Sequence, residues 1–150
     1  MRVYLVRHAD AGDPVKWTGP DRLRPLSGKG WKQAEALAGM LEGVERVLSS
    51  PYLRCRQTFE PLAERVGTSI VDDPRLAEGA HIVDALALIT TPGPTAAMCT
   101  QGDVVVGLVD HLVSLRLVTP AKAGGSKAST WRLDIESGAI IKAKYLPPPR

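Results

Sequence analysis

Short apolar runs alternate with amphipathic helical segments along most of this 150-residue chain. β-prone residues predict a buried strand at residues 3–6, and further strands at residues 44–48, 69–71 and 95–100. Helical patterns lie between and after them, beginning near residues 27–30, 51, 82 and 102. A strand that is followed repeatedly by a helix gives parallel strands with right-handed crossovers. This alternation is the strongest constraint on the fold.

The last third of the chain departs from the alternation. Two β-prone runs, residues 129–135 and 139–145, flank the turn-forming sequence Glu136-Ser137-Gly138 and predict a hairpin. The expected fold class is therefore α/β, a three-layer αβα sandwich with a mostly parallel central sheet and a C-terminal hairpin. The length suits one domain and no repeat or linker interrupts it, so we expect a single domain over residues 1–150.

The second helix has clear start and stop signals. Ser50 suits the N-cap and Pro51 the first helical position. Gly67 suits the residue that ends the helix. These signals place Arg54 in the first turn, directly after the second predicted strand.

Composition excludes several classes of function. No apolar run approaches the roughly 18 residues of a membrane span, and the early charges of the N-terminus are unlike a signal peptide. We therefore expect a cytoplasmic protein without membrane contact. The 19 basic residues are scattered and aromatic residues make up only 5% of the chain, so no nucleic-acid partner is expected. The formal charge of +3 suits a small anionic substrate.

Neither the cysteines nor the histidines predict a metal site. Cys55 and Cys99 lack metal-ligand spacing and are interpreted as buried apolar residues. His8, His81 and His111 are far apart in the sequence and match no ligand pattern. We expect no metal and no cofactor, and the sequence leaves the oligomeric state open.

Polar side chains follow the predicted strands where those strands end. Arg7 and His8 follow the first strand, Arg54 the second, and Gln101 the strand at residues 95–100. Because ligands of open parallel sheets bind outside the carboxyl ends of the strands, these groups should share one crevice with the loop that carries Glu78. Guanidinium groups and helix N-termini attract phosphate. Neutral imidazole can attack phosphorus through one ring nitrogen when a hydrogen bond holds the other. The sequence thus predicts a site that binds a phosphoryl group and accepts it on His8.

Four segments of the chain, RHAD, RPLSGKG, SSPYLRCRQT and LAEG, resemble the phosphoglycerate mutase-like histidine phosphatase superfamily. The matching segments are spread over about residues 2–146. Within the superfamily, the chain is similar to the small branch of bacterial phosphohistidine phosphatases and actinobacterial phosphatase domains. The resemblance implies that His8 becomes phosphorylated and that Arg7 and Arg54 bind the phosphate. It also implies that Glu78 protonates the leaving group, which an alkoxide requires.

Two positions depart from the family pattern. Ala9 stands where the family usually has glycine, and Gln101 stands where it has a second histidine that helps the arginines to hold the phosphate oxygens. Glutamine keeps an N–H donor but brings no charge. Losing one stabiliser of transition-state charge costs about 10²–10³ in rate. We therefore expect a phosphatase with attenuated turnover; the alternative is a catalytically weak or inactive phosphate-binding regulatory domain of the same fold.

Several further residues are candidates for contact with substrate or solvent. Arg24 is a possible substrate contact, because the long loop at residues 12–30 could lie over the pocket. His81 could compensate for the missing histidine, although a loop histidine is more often incidental. Lys122 and Lys127 flank a Gly-Gly turn and are interpreted as solvated.

With no other long insertion to enclose a sugar phosphate, hydrolysis is favoured over mutase activity. The expected partner is a small phosphorylated substrate or a phosphoprotein.

Overall fold

A computed structural model describes residues 1–150 and contains one six-stranded sheet. The strands are β1 (Arg2–Arg7), β2 (Arg46–Ser49), β3 (Ile70–Asp72), β4 (Ala96–Thr100), β5 (Thr130–Glu136) and β6 (Ala139–Leu146). They lie in the order β3-β2-β4-β1-β5-β6. The first four positions are parallel neighbours, whereas β5 pairs antiparallel with both β1 and β6. The mostly parallel sheet with a C-terminal hairpin is confirmed.

Four helices cover the two faces of the sheet. They are α1 (Gly28–Met40), α2 (Leu53–Val66), α3 (Ile82–Ile89) and α4 (Gly102–Ser114). One apolar cluster joins α1 and α2 to one face of the sheet, and the other joins α3 and α4 to the opposite face. The three-layer αβα sandwich is therefore confirmed. The longest helix has 14 residues, and none has the length and apolar character that crossing a bilayer requires.

Burial on both faces explains why the central strands are apolar throughout. In β1, Tyr4 and Val6 belong to the cluster under α1 and α2, while Val3 and Leu5 belong to the cluster under α3 and α4. All five residues of β4 are buried. Parallel strands covered on both faces lose the alternation of apolar and polar residues that half-exposed strands show.

The first turn of α1 is joined to the segment that follows β1. Ser27 caps the helix by accepting a hydrogen bond from the Gly30 N–H at 3.1 Å. Its hydroxyl also donates to the side chain of Asp10, and its N–H donates to the Asp10 carbonyl at 3.0 Å. Gly30 lies so close to this carbonyl that a Cβ would overlap the oxygen. The RPLSGKG segment thus holds the chain just after His8.

The predicted start of α2 is wrong by two residues. The helix begins at Leu53 with Tyr52 as its N-cap, and no side chain caps it. Ser50 instead accepts a hydrogen bond from the Tyr52 N–H at 3.3 Å, which makes a turn before the helix. Arg54 still lies in the first turn. Gly67 ends α2 at φ +71° as predicted.

The hairpin turn agrees with the prediction from its residues. Ser137 and Gly138 have φ values of +51° and +76°, the left-handed pair that a two-residue hairpin loop requires. Glu136 then pairs with Ala139. The hairpin extends the sheet on the side away from β2 and β3.

We expect Gly30→Ala to destabilise the fold by about 1–3 kcal/mol, because the new methyl group would overlap the Asp10 carbonyl and force the backbone apart. Gly28→Ala is the matched control, since a Cβ at that position meets nothing within 4 Å. Urea unfolding of both variants checks this. Equal stability of the two proteins would contradict the close contact.

Candidate active site

The carboxyl ends of three parallel strands lie side by side. Arg7, the last residue of β1, pairs with Thr100, the last residue of β4. The His8 N–H donates to the Thr100 carbonyl at 3.1 Å, and the Ser50 N–H after β2 donates to the Cys99 carbonyl at 2.9 Å. The chain therefore leaves these three strands at one place on the sheet.

His8 is held with one ring nitrogen fixed and the other free. The residue is 4% exposed, and its Nδ1 lies 2.8 Å from the Ala9 carbonyl oxygen. Because a carbonyl only accepts, Nδ1 carries the proton and Nε2 keeps its lone pair. Nε2 has no hydrogen-bond partner in the chain and is not among the fully enclosed polar atoms. Burial, followed by the charges of Arg54, Arg7 and Lys127, lowers the pKa of His8 to about 4, although the Ala9 hydrogen bond opposes this. The imidazole is neutral near pH 7.

Thr58 fixes the backbone that holds this ring. Its hydroxyl accepts a hydrogen bond from the Ala9 N–H at 3.0 Å and donates to the Arg54 carbonyl at 2.7 Å. Ala9 is fully buried and does not have the positive φ that favours glycine, so its methyl group is accommodated. Thr58 was not among the predicted site residues, and its only sequence signal is its position one helical turn after Arg54.

Arg54 is 2% exposed and is the most deeply buried arginine of the polar group around His8. Its Nη1 donates to the Asp21 carbonyl at 2.8 Å, and its Nη2 donates to the Asp21 carboxylate at 3.1 Å. Its Nε is buried and has no partner. Arg54 thus keeps a buried donor directed at no group of the protein.

Arg7 lies against the N-terminus of α4. Its Nη1 donates to the Gly125 carbonyl at 2.9 Å, and its Nε, like that of Arg54, is buried without a partner. A Cβ on Gly102 would lie 2.9 Å from the Arg7 guanidinium carbon, so only glycine lets the side chain rest there. Burying a donor without an acceptor costs free energy. A guanidinium group beside a helix N-terminus, as Arg7 is, suits an anion with several oxygens.

Gln101 is the N-cap residue of α4 and is 1% exposed. Its Nε2 donates to the Cys55 sulfur at 3.2 Å, and its Oε1 is buried without a partner. Cys55 and Cys99 are both free and buried, as predicted, and burial raises the pKa of the Cys99 thiol. No three His, Cys, Asp or Glu side chains of the chain are grouped to hold a metal ion.

Glu78 lies at the exposed side of this group of polar side chains. Its side chain is 52% exposed and its Oε1 lies 3.8 Å from Nη2 of Arg54. The Gly79 N–H donates to the Asp103 carboxylate of α4 at 2.8 Å, which fixes the loop. His81 is exposed at the start of α3, and no hydrogen bond or ion pair joins it to the other predicted site residues.

Arg24 is buried, and two of its nitrogens already have partners. Its Nη1 donates to the Ala11 carbonyl at 2.7 Å and its Nε to the Asp21 carboxylate at 3.3 Å. Asp21 therefore bridges Arg24 and Arg54. Partial burial acts to raise the pKa of Asp21, but the charges and hydrogen bonds of the two arginines outweigh it and lower the pKa. Asp21 was not among the predicted site residues, because nothing in a loop sequence indicates a partner 33 residues away.

Lys127 also belongs to the surroundings of His8. Its Nζ lies 4.0 Å from the Asp10 carboxylate, and its charge contributes to the lowered pKa of His8. The interpretation of Lys127 as a solvated side chain is therefore incomplete. Two arginines, a lysine, a neutral imidazole and a helix N-terminus together make a site suited to a tetrahedral anion.

Comparison with known proteins identifies relatives of the chain. The sequence profile of the histidine phosphatase superfamily (branch 1) matches residues 3–84, more than half of the chain. The chain is 37% identical to the 8-oxo-(d)GTP phosphatase of Mycolicibacterium smegmatis over 156 aligned residues, which cover 98% of the chain and 48% of the relative. It is also 37% identical to the phosphohistidine phosphatase SixA of Escherichia coli over 68 residues, which cover 43% of the chain and 40% of the relative. The chain thus spans less than half the length of the phosphatase that it matches from end to end.

A solved structure shows the same fold over nearly the full length. The protein histidine phosphatase SixA complexed with tungstate superposes with a TM-score of 0.73 and 23% identity. The superposition covers 97% of this chain and 94% of that chain.

The buried neutral state of His8 predicts a pH dependence of stability. A histidine with a pKa of about 4 when folded and its ordinary 6.5 when unfolded binds more protons in the unfolded state between those values. Stability should therefore fall as the pH is lowered from 6.5 to 4, by at most about 3 kcal/mol from this residue. Urea unfolding across this range should show a weaker fall in His8→Ala.

His81→Ala is the control for that measurement, because it removes an exposed imidazole that makes no hydrogen bond. It should retain the slope of the unchanged protein. A His8→Ala slope equal to that of the unchanged protein would contradict the assigned state of His8.

Proposed function

The chain belongs to the histidine phosphatase superfamily, and from that membership we propose that it hydrolyses a phosphomonoester or a phosphohistidine through a phosphoryl group carried transiently by His8. The two relatives described above, from Mycolicibacterium smegmatis and Escherichia coli, are both named as phosphatases, which supports phosphate hydrolysis as the activity. Because the chain spans less than half of each relative, the proposal also depends on the geometry of the site residues.

One observation supports the proposal most directly. The charges of Arg7 and Arg54 both act on a His8 ring whose Nδ1 is fixed and whose Nε2 has no partner. A phosphoryl group in line with Nε2 would lie within the field of both guanidinium groups. Positive charge placed beforehand around the equatorial oxygens stabilises the charge that spreads over them in phosphoryl transfer.

In the first step, the Nε2 lone pair of His8 attacks phosphorus and the bond from phosphorus to the leaving group breaks. The electron pair of that bond goes to the leaving oxygen or nitrogen, which takes a proton from the Glu78 carboxyl group. Nδ1 keeps its proton throughout, because the Ala9 carbonyl holds it. The half-exposed position of Glu78 lets it reach a leaving group outside the pocket.

In the second step, water attacks the phosphorus of phosphohistidine and gives a proton to the Glu78 carboxylate. The P–N bond breaks and its electrons return to Nε2, which restores neutral His8. Asp21 and Glu78 are each about half exposed, so the mouth of the site is open to water. Open access favours hydrolysis over a mutase, which must retain its substrate through two transfers.

We further propose that Gln101 lowers the turnover. Its amide nitrogen donates to the weakly accepting sulfur of Cys55, and the atom without a partner is its carbonyl oxygen. Rotating the amide by 180° would exchange the two atoms and supply an N–H, but no charge. Either orientation stabilises developing negative charge less than a protonated histidine would.

The alternative function is a phosphate-binding regulatory domain with weak or no catalysis. Gln101 is the observation that favours it, since the charges of Arg54 and Arg7 act on His8 and Glu78 lies 3.8 Å from Arg54, while the second histidine of the family pattern is replaced. The two functions share the anion site and differ in turnover.

The substrate class follows from the shape of the site and from the relatives. We propose a small phosphorylated compound or a phosphoprotein, because two of the polar side chains beside Arg54, Asp21 and Glu78, are half exposed. The relatives named for 8-oxo-(d)GTP and for phosphohistidine define the panel to test. Nucleotides, phosphohistidine and sugar phosphates should be compared by kcat/KM.

Hydrolysis should depend completely on His8. We expect the chain to release phosphate from an aryl phosphate and His8→Ala to lose at least about 10³ of this rate, since the covalent route disappears. A radiolabelled phosphoryl group should be trapped on the unchanged protein after an alkaline quench and be absent from the variant. Tight orthovanadate binding without phosphate release would support the regulatory alternative, and release that persists in His8→Ala would contradict the mechanism.

Restoring the histidine should speed turnover. Gln101→His should raise kcat for the same aryl phosphate at least about tenfold, because it adds a charged donor at the equatorial oxygens. Gln101→Asn keeps an uncharged amide and is the matched control, for which no gain is expected. Equal kcat values for Gln101→His and the unchanged protein would refute the role given to Gln101.

A further inference from the structure

Arg54 already has an anion bound to it. Asp21 occupies both of its Nη groups, one through the backbone carbonyl at 2.8 Å and the other through the carboxylate at 3.1 Å. A guanidinium binds phosphate best through two parallel N–H bonds. Its remaining two-donor edge contains Nε, which is fully enclosed. An anion that arrives from solvent therefore meets the edge that Asp21 occupies.

The segment that carries Asp21 is weakly attached to the protein. Every residue from 12 to 23 is exposed, and the turn Asp21–Leu23 contributes no buried residue. Its side-chain contacts with the rest of the protein are those of Asp21 with the two arginines and a hydrogen bond from the Gly12 N–H to the Asp10 carboxylate at 3.4 Å. None of its residues belongs to either apolar cluster. We call residues 12–23 the strap.

Displacement of Asp21 would not leave its carboxylate without a partner. Asp21 also accepts a hydrogen bond from Arg24 at 3.3 Å, and Arg24 is anchored separately by the Ala11 carbonyl. A carboxylate that leaves Arg54 can thus remain paired with Arg24. This second partner lowers the cost of releasing Arg54.

We propose that Asp21 is an intramolecular ligand of Arg54 that competes with the phosphoryl group of the substrate, so that the strap moves off the site when substrate binds. The inference rests on the proposed function, because it takes the competing anion to be the phosphoryl group. The Asp21 carboxylate lies 3.1 Å from Nη2 of Arg54, so a phosphoryl dianion bound there would place two anions beside one cation. Repulsion between these charges favours the departure of Asp21, whose turn contributes no buried residue.

The direct test is the affinity for inorganic phosphate, measured by calorimetry at 0.15 M salt. Asp21→Asn removes the competing charge and should bind phosphate at least about threefold more tightly than the unchanged protein. Asp13→Asn is the matched control: it makes the same charge change in the strap, but its carboxylate accepts only from the Val15 N–H. Salt screens the distant charge, so its affinity should stay unchanged.

Three outcomes of the phosphate titrations overturn the inference. Weaker binding by Asp21→Asn would mean that Asp21 positions Arg54, and equal binding would mean that the two anions do not compete. A gain in phosphate affinity of equal size in Asp13→Asn would show that the effect comes only from the net charge of the protein. If neither the unchanged protein nor Asp21→Asn bound phosphate at all, the proposed function itself would fail, and this inference with it.

Trp17 reports on movement of the strap independently of affinity. Because Trp17 lines one shallow cavity together with Arg24 and Pro25, which lie outside the strap, phosphate should change its fluorescence as the strap moves. The change should disappear in Trp17→Phe, which separates it from Trp31 and Trp131. Phosphate binding without a Trp17-dependent change would overturn the movement of the strap.

Discussion

The hydrogen bond between His8 Nδ1 and the Ala9 carbonyl determines which nitrogen of the imidazole is available for chemistry. That carbonyl is itself held in place, because the Ala9 N–H is bound to Thr58 and the Thr58 hydroxyl is bound to the Arg54 carbonyl. A short series of hydrogen bonds therefore joins the ring to the helix that carries one of the arginines. The orientation of the His8 ring and the position of the Arg54 backbone are set together rather than separately.

The electrostatics of the site combine two opposite effects. Burial and nearby cations keep His8 uncharged, which a nucleophile requires, and the same cations create the field that an anion needs. The carboxylates of Asp21 and Glu78 then offset part of this field at the exposed side of Arg54. In the proposed reaction, uncompensated arginines would bind the phosphate product tightly, so partial compensation is compatible with its release.

Sequence reasoning predicted the parts of the site that follow from strand order. Arg7, His8 and Gln101 stand at strand ends, and the strand–helix alternation makes those ends neighbours whatever the loops do. The partners that cross between elements were not predictable. Asp21 and Thr58 bind residues 33 and 49 positions away, and no periodic pattern marks them. The start of α2 was placed too early because the side chain of Ser50 caps a turn instead of the helix.

The strap has a consequence for how such a protein can diversify. Its residues contribute nothing to either apolar cluster, yet its Asp21 is bonded to Arg54 of the candidate site. Insertions, deletions or wholesale replacement of this segment would therefore leave the folding energy almost untouched while changing what the entrance presents to a leaving group. The scaffold can retain its chemistry and acquire new substrates by exchanging about a dozen surface residues.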